Sequence, residues 1–142
     1  MDKELYFYRA SVVKCQDGDS VVVEAMLGFD IKTTLATRLY GIDTPETRMV
    51  PGGSADLKKL GRLAKTFLTS LLADEEEITI RTHKKGKYGR YLAELFIDGD
   101  ESSVNEFMVQ ERMAVRYHGQ NKQAVLEEHL ANVAWHKEQG NI

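Results

Sequence analysis

A chain of 142 residues, 42% hydrophobic and 29% charged, is long enough for one domain with a sizeable core, and no apolar run approaches the roughly 20 residues that span a bilayer. Its single cysteine, Cys15, excludes a disulfide within the chain and a zinc site built on several cysteines. A net charge of −3 at pH 7 argues against holding a polyanion by overall charge, so such a partner requires a local field or a bound cation.

No repeat, low-complexity tract or linker divides the chain, which reads as a single domain over residues 1–142. The start, Met1-Asp2-Lys3-Glu4-Leu5, lacks the basic-then-apolar form of a secretory leader. A cytoplasmic protein is therefore expected, with a secreted mature form or a phage or mobile-element origin as alternatives.

Aromatic and β-branched residues predict a first strand over residues 6–13, ahead of an Asp17-Gly18 turn signal. A second strand is predicted over 20–26, with Val21, Val23 and Ala25 on one face. A third spans 33–42, with Leu35, Thr37 and Leu39 opposite Ala36, Arg38 and Tyr40. The period then changes. Leu57, Leu60, Ala64, Phe67, Leu68 and Leu71 recur at helical spacing and predict an amphipathic helix over 54–72, within which Gly61 marks close packing or a break. Strands resume over 77–83 and 91–97, joined by the basic turn Lys84-Lys85-Gly86-Lys87-Tyr88-Gly89. Ser103 and Glu106 fit a capping box, and a last helix is predicted over 122–137 with Leu126, Leu130 and Val133 inward. Five short strands with a helix after the third, then two more helices, predict an α+β fold built on a closed barrel of the oligonucleotide-binding type.

Two acidic groups stand out against this pattern. Asp17-Gly18-Asp19-Ser20 alone reads as a turn, and Asp43-Thr44-Pro45-Glu46 alone as a strand end running into a capped turn. Together they say more, because Asp19 and Asp43 end separate strands and can reach one point at a barrel mouth. Carboxylates brought together repel unless a cation lies between them, and oxygen ligands suit a hard cation such as calcium or magnesium. The EF-hand spacing is absent, so the site would be open to water and substrate. Arg38 and Arg90 carry guanidinium groups, which fork onto phosphate oxygens; either alone would read as a surface charge. Residues 81–90 hold Arg81, Lys84, Lys85, Lys87 and Arg90 with no acid, a local positive patch or simply a solubilising hairpin. Glu46 fits a general base by position, although an ordinary carboxylate orients water better than it takes a proton at neutral pH. The four histidines, His83, His118, His129 and His136, show no ligand spacing and read as structural or surface residues. Cys15 reads as a small barrel residue and Trp135 as a packing anchor.

These blocks resemble the staphylococcal (micrococcal) nuclease family. The resemblance rests on Asp17-Gly18-Asp19-Ser20, on residues 38–46 and on Lys87-Tyr88-Gly89-Arg90, in that order. Val104-Asn105-Glu106, Ala114-Val115-Arg116-Tyr117, Glu128-His129-Leu130 and Gly140-Asn141-Ile142 extend it to the C-terminus. It implies a five-stranded barrel with three helices and a calcium-dependent phosphodiesterase acting on DNA, RNA or both, with little sequence specificity. Asp19 and Asp43 would bind Ca2+ through carboxylates and Thr44 through its main-chain carbonyl. Glu46 would hold or deprotonate the attacking water, and Arg38 and Arg90 would clamp the phosphate. Lys87, Tyr88 and Tyr117 match positions near the bound nucleotide, and cleavage would leave a 3′-phosphate. Val115 stands where the family has a second tyrosine, and the segment over 47–55, with Pro51-Gly52-Gly53, differs from the family's lysine-rich loop. A monomer without membrane contact is expected. The rival readings are a catalytically weak nuclease-like barrel that binds nucleic acid, and a plain oligonucleotide-binding barrel using Tyr6, Tyr8, Tyr40 and Tyr91.

Overall fold

Period-two alternation carries the N-terminal part into an antiparallel meander. In the computed structural model, which describes residues 5–142, β1 (Phe7–Asp17), β2 (Ser20–Gly28) and β3 (Ile31–Leu39) pair in chain order. Residues 1–4, on which the expectation of no secretory leader largely rests, lie outside the described residues. Next come β4 (Ile42–Asp43), α1 (Ala55–Leu72), β5 (Ile78–Lys85), β6 (Tyr91–Phe96), α2 (Val104–Gln110), β7 (Val115–Arg116) and α3 (Lys122–Glu138). Parallel pairing of β6 with β3, and antiparallel pairing of β5 with β1, close a barrel in the order β1-β2-β3-β6-β5. The fold is α+β, as expected, with β4 and β7 forming a separate two-stranded ladder.

The interior follows the alternation. Val21, Val23, Ile78, Ile80, Ala93 and Leu95 are fully buried and meet Leu60, Ala64 and Leu68 of α1. Each large side chain removed from water in this way stabilises the fold by roughly 1.5–3 kcal/mol. No helix among the described residues is long and apolar enough to cross a membrane.

Several elements differ from the sequence expectation. β1 runs on to Asp17, because bulges after Val12 and after Cys15 absorb the irregular stretch. The third strand stops at Leu39, short of residue 42, because Gly41 turns the chain at φ +78°. Tyr40 is held there as its N–H donates to Ala93 O (2.8 Å) and its carbonyl accepts from buried Asn105 Nδ2 (2.9 Å). Ile42 and Asp43 thereby leave the barrel and pair with Arg116 and Val115.

The cap expected at Ser103 forms, and Ser54 and Asn121 cap the other two helices. Ser54, Ser103 and Asn121 accept from the N–H groups of Leu57, Glu106 and Ala124. The Ser103 box is half made, since the Glu106 carboxylate is taken by Arg116. On α3 the inward face is His129, Asn132, Val133 and His136, at positions i, i+3, i+4 and i+7. Leu130 lies off that stripe and is 44% exposed, which corrects its expected inward placement. The stripe is largely polar because its partners are polar. Asn132 Oδ1 accepts from Arg112 Nε (3.0 Å), and His136 Nε2 donates to Arg112 O (3.0 Å).

Candidate active site

Three close approaches bring distant segments to one end of the barrel. A Cβ at Gly18 would stand 2.8 Å from Ala64 Cβ and 3.0 Å from Thr44 Oγ1, so only glycine lets α1 and Thr44 press onto the β1–β2 turn. A Cβ at Gly61 would stand 2.2 Å from Glu46 O and 2.6 Å from Pro45 O. α1 stays unbroken through Gly61, so this glycine serves close packing and not a break. The third approach is α3 against β4, through His129.

Asp19 lies in the β1–β2 turn, buried under Thr44. Its Oδ2 accepts from Thr44 N (3.2 Å), and its Oδ1 accepts from Ser20 Oγ (3.2 Å). Burial pushes its carboxyl above the ordinary range; Arg38 and the Thr44 N–H oppose the rise, while Asp43 and Asp17 add to it. Asp43 Oδ1 accepts from Arg38 Nη2 (3.0 Å), the same nitrogen that stands 3.7 Å from Asp19 Oδ2. The two carboxylates therefore converge on one positive group. On the other side, Asp43 Oδ2 lies 2.7 Å from His129 Nε2.

Arg90 follows a 3₁₀ turn, Lys87–Gly89, and donates from Nη1 to Ser20 Oγ (2.9 Å). Ser20 thus links Arg90 to Asp19. Tyr88 occupies a left-handed conformation (φ +62°) and is 91% exposed at the turn's tip. Tyr117 sits beneath Arg38, whose Cζ lies 5.6 Å from the ring centroid, a cation–π contact. Glu46 is exposed, yet its carboxyl is pushed above the ordinary range, first by partial desolvation and then by Asp17 and Asp19, with Arg48 opposing. The expectation of an ordinary carboxylate is corrected accordingly.

These groups border a cavity of about 600 Å3. Arg38, Asp43, Thr44, Glu46, Lys87, Tyr88, Arg90 and Tyr117 all line it, and Asp19 lies behind them in contact with Thr44, Ser20 and Arg38. Every sequence-selected residue therefore falls in one neighbourhood. The cavity also takes in Arg48, Lys58, Lys122 and His129, which sequence reasoning did not select. His129 stands only within a block of the family resemblance, with no role attached, and nothing in a single sequence marks the other three, because they are brought in by the packing of the 47–55 segment, α1 and α3. Six cations then face two carboxylates, Asp43 and Glu46, on the cavity wall. A strongly positive recess on a chain of net charge −3 is the local field that an anionic partner requires.

Residues 36–139 match the family model of the staphylococcal nuclease homologues. The chain belongs to that family. This nuclease homologue is also 33% identical over 114 residues to an uncharacterized protein of Methanocaldococcus jannaschii, MJ1439; the match covers 69% of this chain. The chain spans about half, 53%, of that relative's length. Family membership makes this a nuclease-type domain, and its barrel presents the signature residues at one cavity.

Proposed function

We propose that this nuclease homologue is a calcium-dependent phosphodiesterase that cuts DNA, RNA or both with low sequence specificity and leaves 3′-phosphate ends. The observation that carries the reading is the convergence of Asp19 and Asp43 on one positive nitrogen, with Arg90 tied to Asp19 through Ser20 and Glu46 on the wall of the same cavity. A location that draws a guanidinium nitrogen between two carboxylates also suits a hard cation, and its donors are oxygens only. Among the described residues no group of three or more His, Cys, Asp or Glu side chains is disposed to hold a metal. The ligands would be the carboxylates of Asp19 and Asp43 and the Thr44 carbonyl, with water completing the shell. Calcium held there supplies positive charge against the anionic ester.

The chain's own residues do the rest. Arg38 and Arg90 donate N–H groups to the phosphate oxygens and meet the charge that grows in the transition state. Glu46 orients a water and takes its proton at a carboxylate oxygen, a role that its raised pKa favours near neutral pH. Water oxygen bonds to phosphorus, the bond from phosphorus to the 5′ oxygen breaks, and the departing alkoxide takes a proton from solvent in the open cavity, while the proton held by Glu46 returns to solvent. Lys87, Tyr88 and Tyr117 flank the cavity where the nucleotide would lie.

The test is cleavage of single-stranded DNA and RNA in calcium, in chelator and with Glu46→Gln. Activity is expected only in calcium, with kcat reduced roughly 10²–10⁴-fold in the variant. In the calcium-free protein the Glu46 carboxyl should titrate above the usual carboxylate range, which carboxyl ¹³C NMR across a pH series reads, and calcium held between Asp19 and Asp43 should draw it down. Binding without cleavage in calcium would favour the nucleic-acid-binding barrel instead, and unimpaired cutting by the variant would remove Glu46 from the chemistry.

A further inference from the structure

His129 is 5% exposed on α3, and its contact lies across 86 residues of chain. Its Nε2 stands 2.7 Å from Asp43 Oδ2, while Arg38 Nη2 stands 3.0 Å from Asp43 Oδ1. A carboxylate offers lone pairs only, so the hydrogen in this contact belongs to Nε2. His129 Nδ1 is buried without any hydrogen-bond partner. A bare nitrogen is tolerated there more readily than an N–H, which would be a buried donor left unmade. Both observations select the same tautomer, with one N–H aimed at Asp43.

Asp43 needs such a hold. It ends a two-residue strand that pairs with β7, and the terminal torsion of an aspartate is broad, so a bond to one oxygen from Arg38 leaves the other to be fixed. His129, by contrast, stands on a fixed helix. Asn132 Nδ2 donates to Ala114 O (3.4 Å), Arg112 ties to Asn132 and His136, and Asn141 pairs with His136 Nδ1 (2.9 Å).

We propose that His129 is a positioning residue for the cation-binding carboxylate: it holds the outer oxygen of Asp43, fixing the carboxylate plane so that the inner oxygen faces the point shared with Asp19 and Arg38. The proposal rests on the calcium-dependent reading above. It makes α3 part of the site's framework and gives a functional role to a histidine whose sequence context reads as structural.

The experiment is calorimetric titration with calcium chloride alone, without substrate, on the wild type, His129→Leu and His129→Gln. Glutamine can place an amide N–H near the position of Nε2; leucine fills space without a donor. Calcium affinity is expected to fall roughly 10–100-fold in the leucine variant and to stay within a few-fold of wild type in the glutamine variant. Turnover of the leucine variant should recover at excess calcium, which a general loss of packing would not allow. Wild-type binding with unchanged affinity in a folded leucine variant would overturn the proposal alone. A wild type that neither binds calcium nor cuts would overturn the functional reading and this proposal together. Should the leucine variant fail to fold, the imidazole ¹⁵N spectrum of the wild type decides. One protonated and one bare nitrogen, with the Nε2 signal moving on calcium addition, supports the proposal; a proton on Nδ1, or no movement with calcium bound, refutes it.

Discussion

Asp19 is a buried carboxylate whose charge its neighbours only partly compensate. Burial raises its carboxyl pKa in the folded state above the unfolded value, so the native protein binds that proton more tightly than the unfolded chain does. Its contribution is therefore most favourable below the ordinary carboxylate pKa. It is lost as pH rises from there through the raised value. Asp19→Asn removes the buried charge and keeps an oxygen for the Thr44 N–H. Its melting temperature should exceed the wild type's at neutral pH, and the gap should close as both are acidified; melts across the acid-to-neutral range measure this. The same variant should lose calcium affinity, so that stability and proposed function pull in opposite directions at one residue.

At the level of elements, α1 is pressed onto the site by what two residues lack. Gly61 lets the helix touch the Pro45 and Glu46 carbonyls, and Gly18 lets it touch the β1–β2 turn. Gly61→Ala gains about 1 kcal/mol of helix propensity. It also forces backbone atoms apart, a strain of the order of 1–3 kcal/mol. Urea unfolding should show a net loss of stability, and cleavage should fall further than stability alone accounts for, because Glu46 moves with the displaced segment. A stable, fully active alanine variant would show that the approach is not needed. β4 illustrates the same point. Its departure from β3 at Gly41 turns Asp43 out of the barrel and toward both Arg38 and His129.

For the whole molecule, charge is distributed rather than summed. The chain is acidic overall, yet its cavity gathers Arg38, Arg48, Lys58, Lys87, Arg90 and Lys122. Binding of a single-stranded oligonucleotide to Glu46→Gln should weaken linearly on a log–log plot against salt. Three or four phosphate contacts give a slope of roughly −2 to −3. Fluorescence anisotropy over a sodium chloride series reads it, and a flat response would show that these cations do not meet phosphate.

Local pattern was enough to place the five barrel strands and three helices and to pick out the chemistry-bearing residue types, but not the short β4–β7 ladder. Alternation marked the barrel strands, helical spacing marked α1, and a capping box marked the start of α2. Asp19, Arg38, Asp43, Glu46 and Arg90 were legible in combination and through the family resemblance, since each motif alone reads as a turn, a capped strand end or a surface charge. Tertiary structure alone decided the end of β3 at Leu39, the polar inward face of α3, the raised carboxyls of Asp19 and Glu46, and the meeting of His129 with Asp43. The reason is range. Propensity and spacing act over a few residues, whereas burial, electrostatic coupling and a contact across 86 positions exist only once the chain has closed on itself.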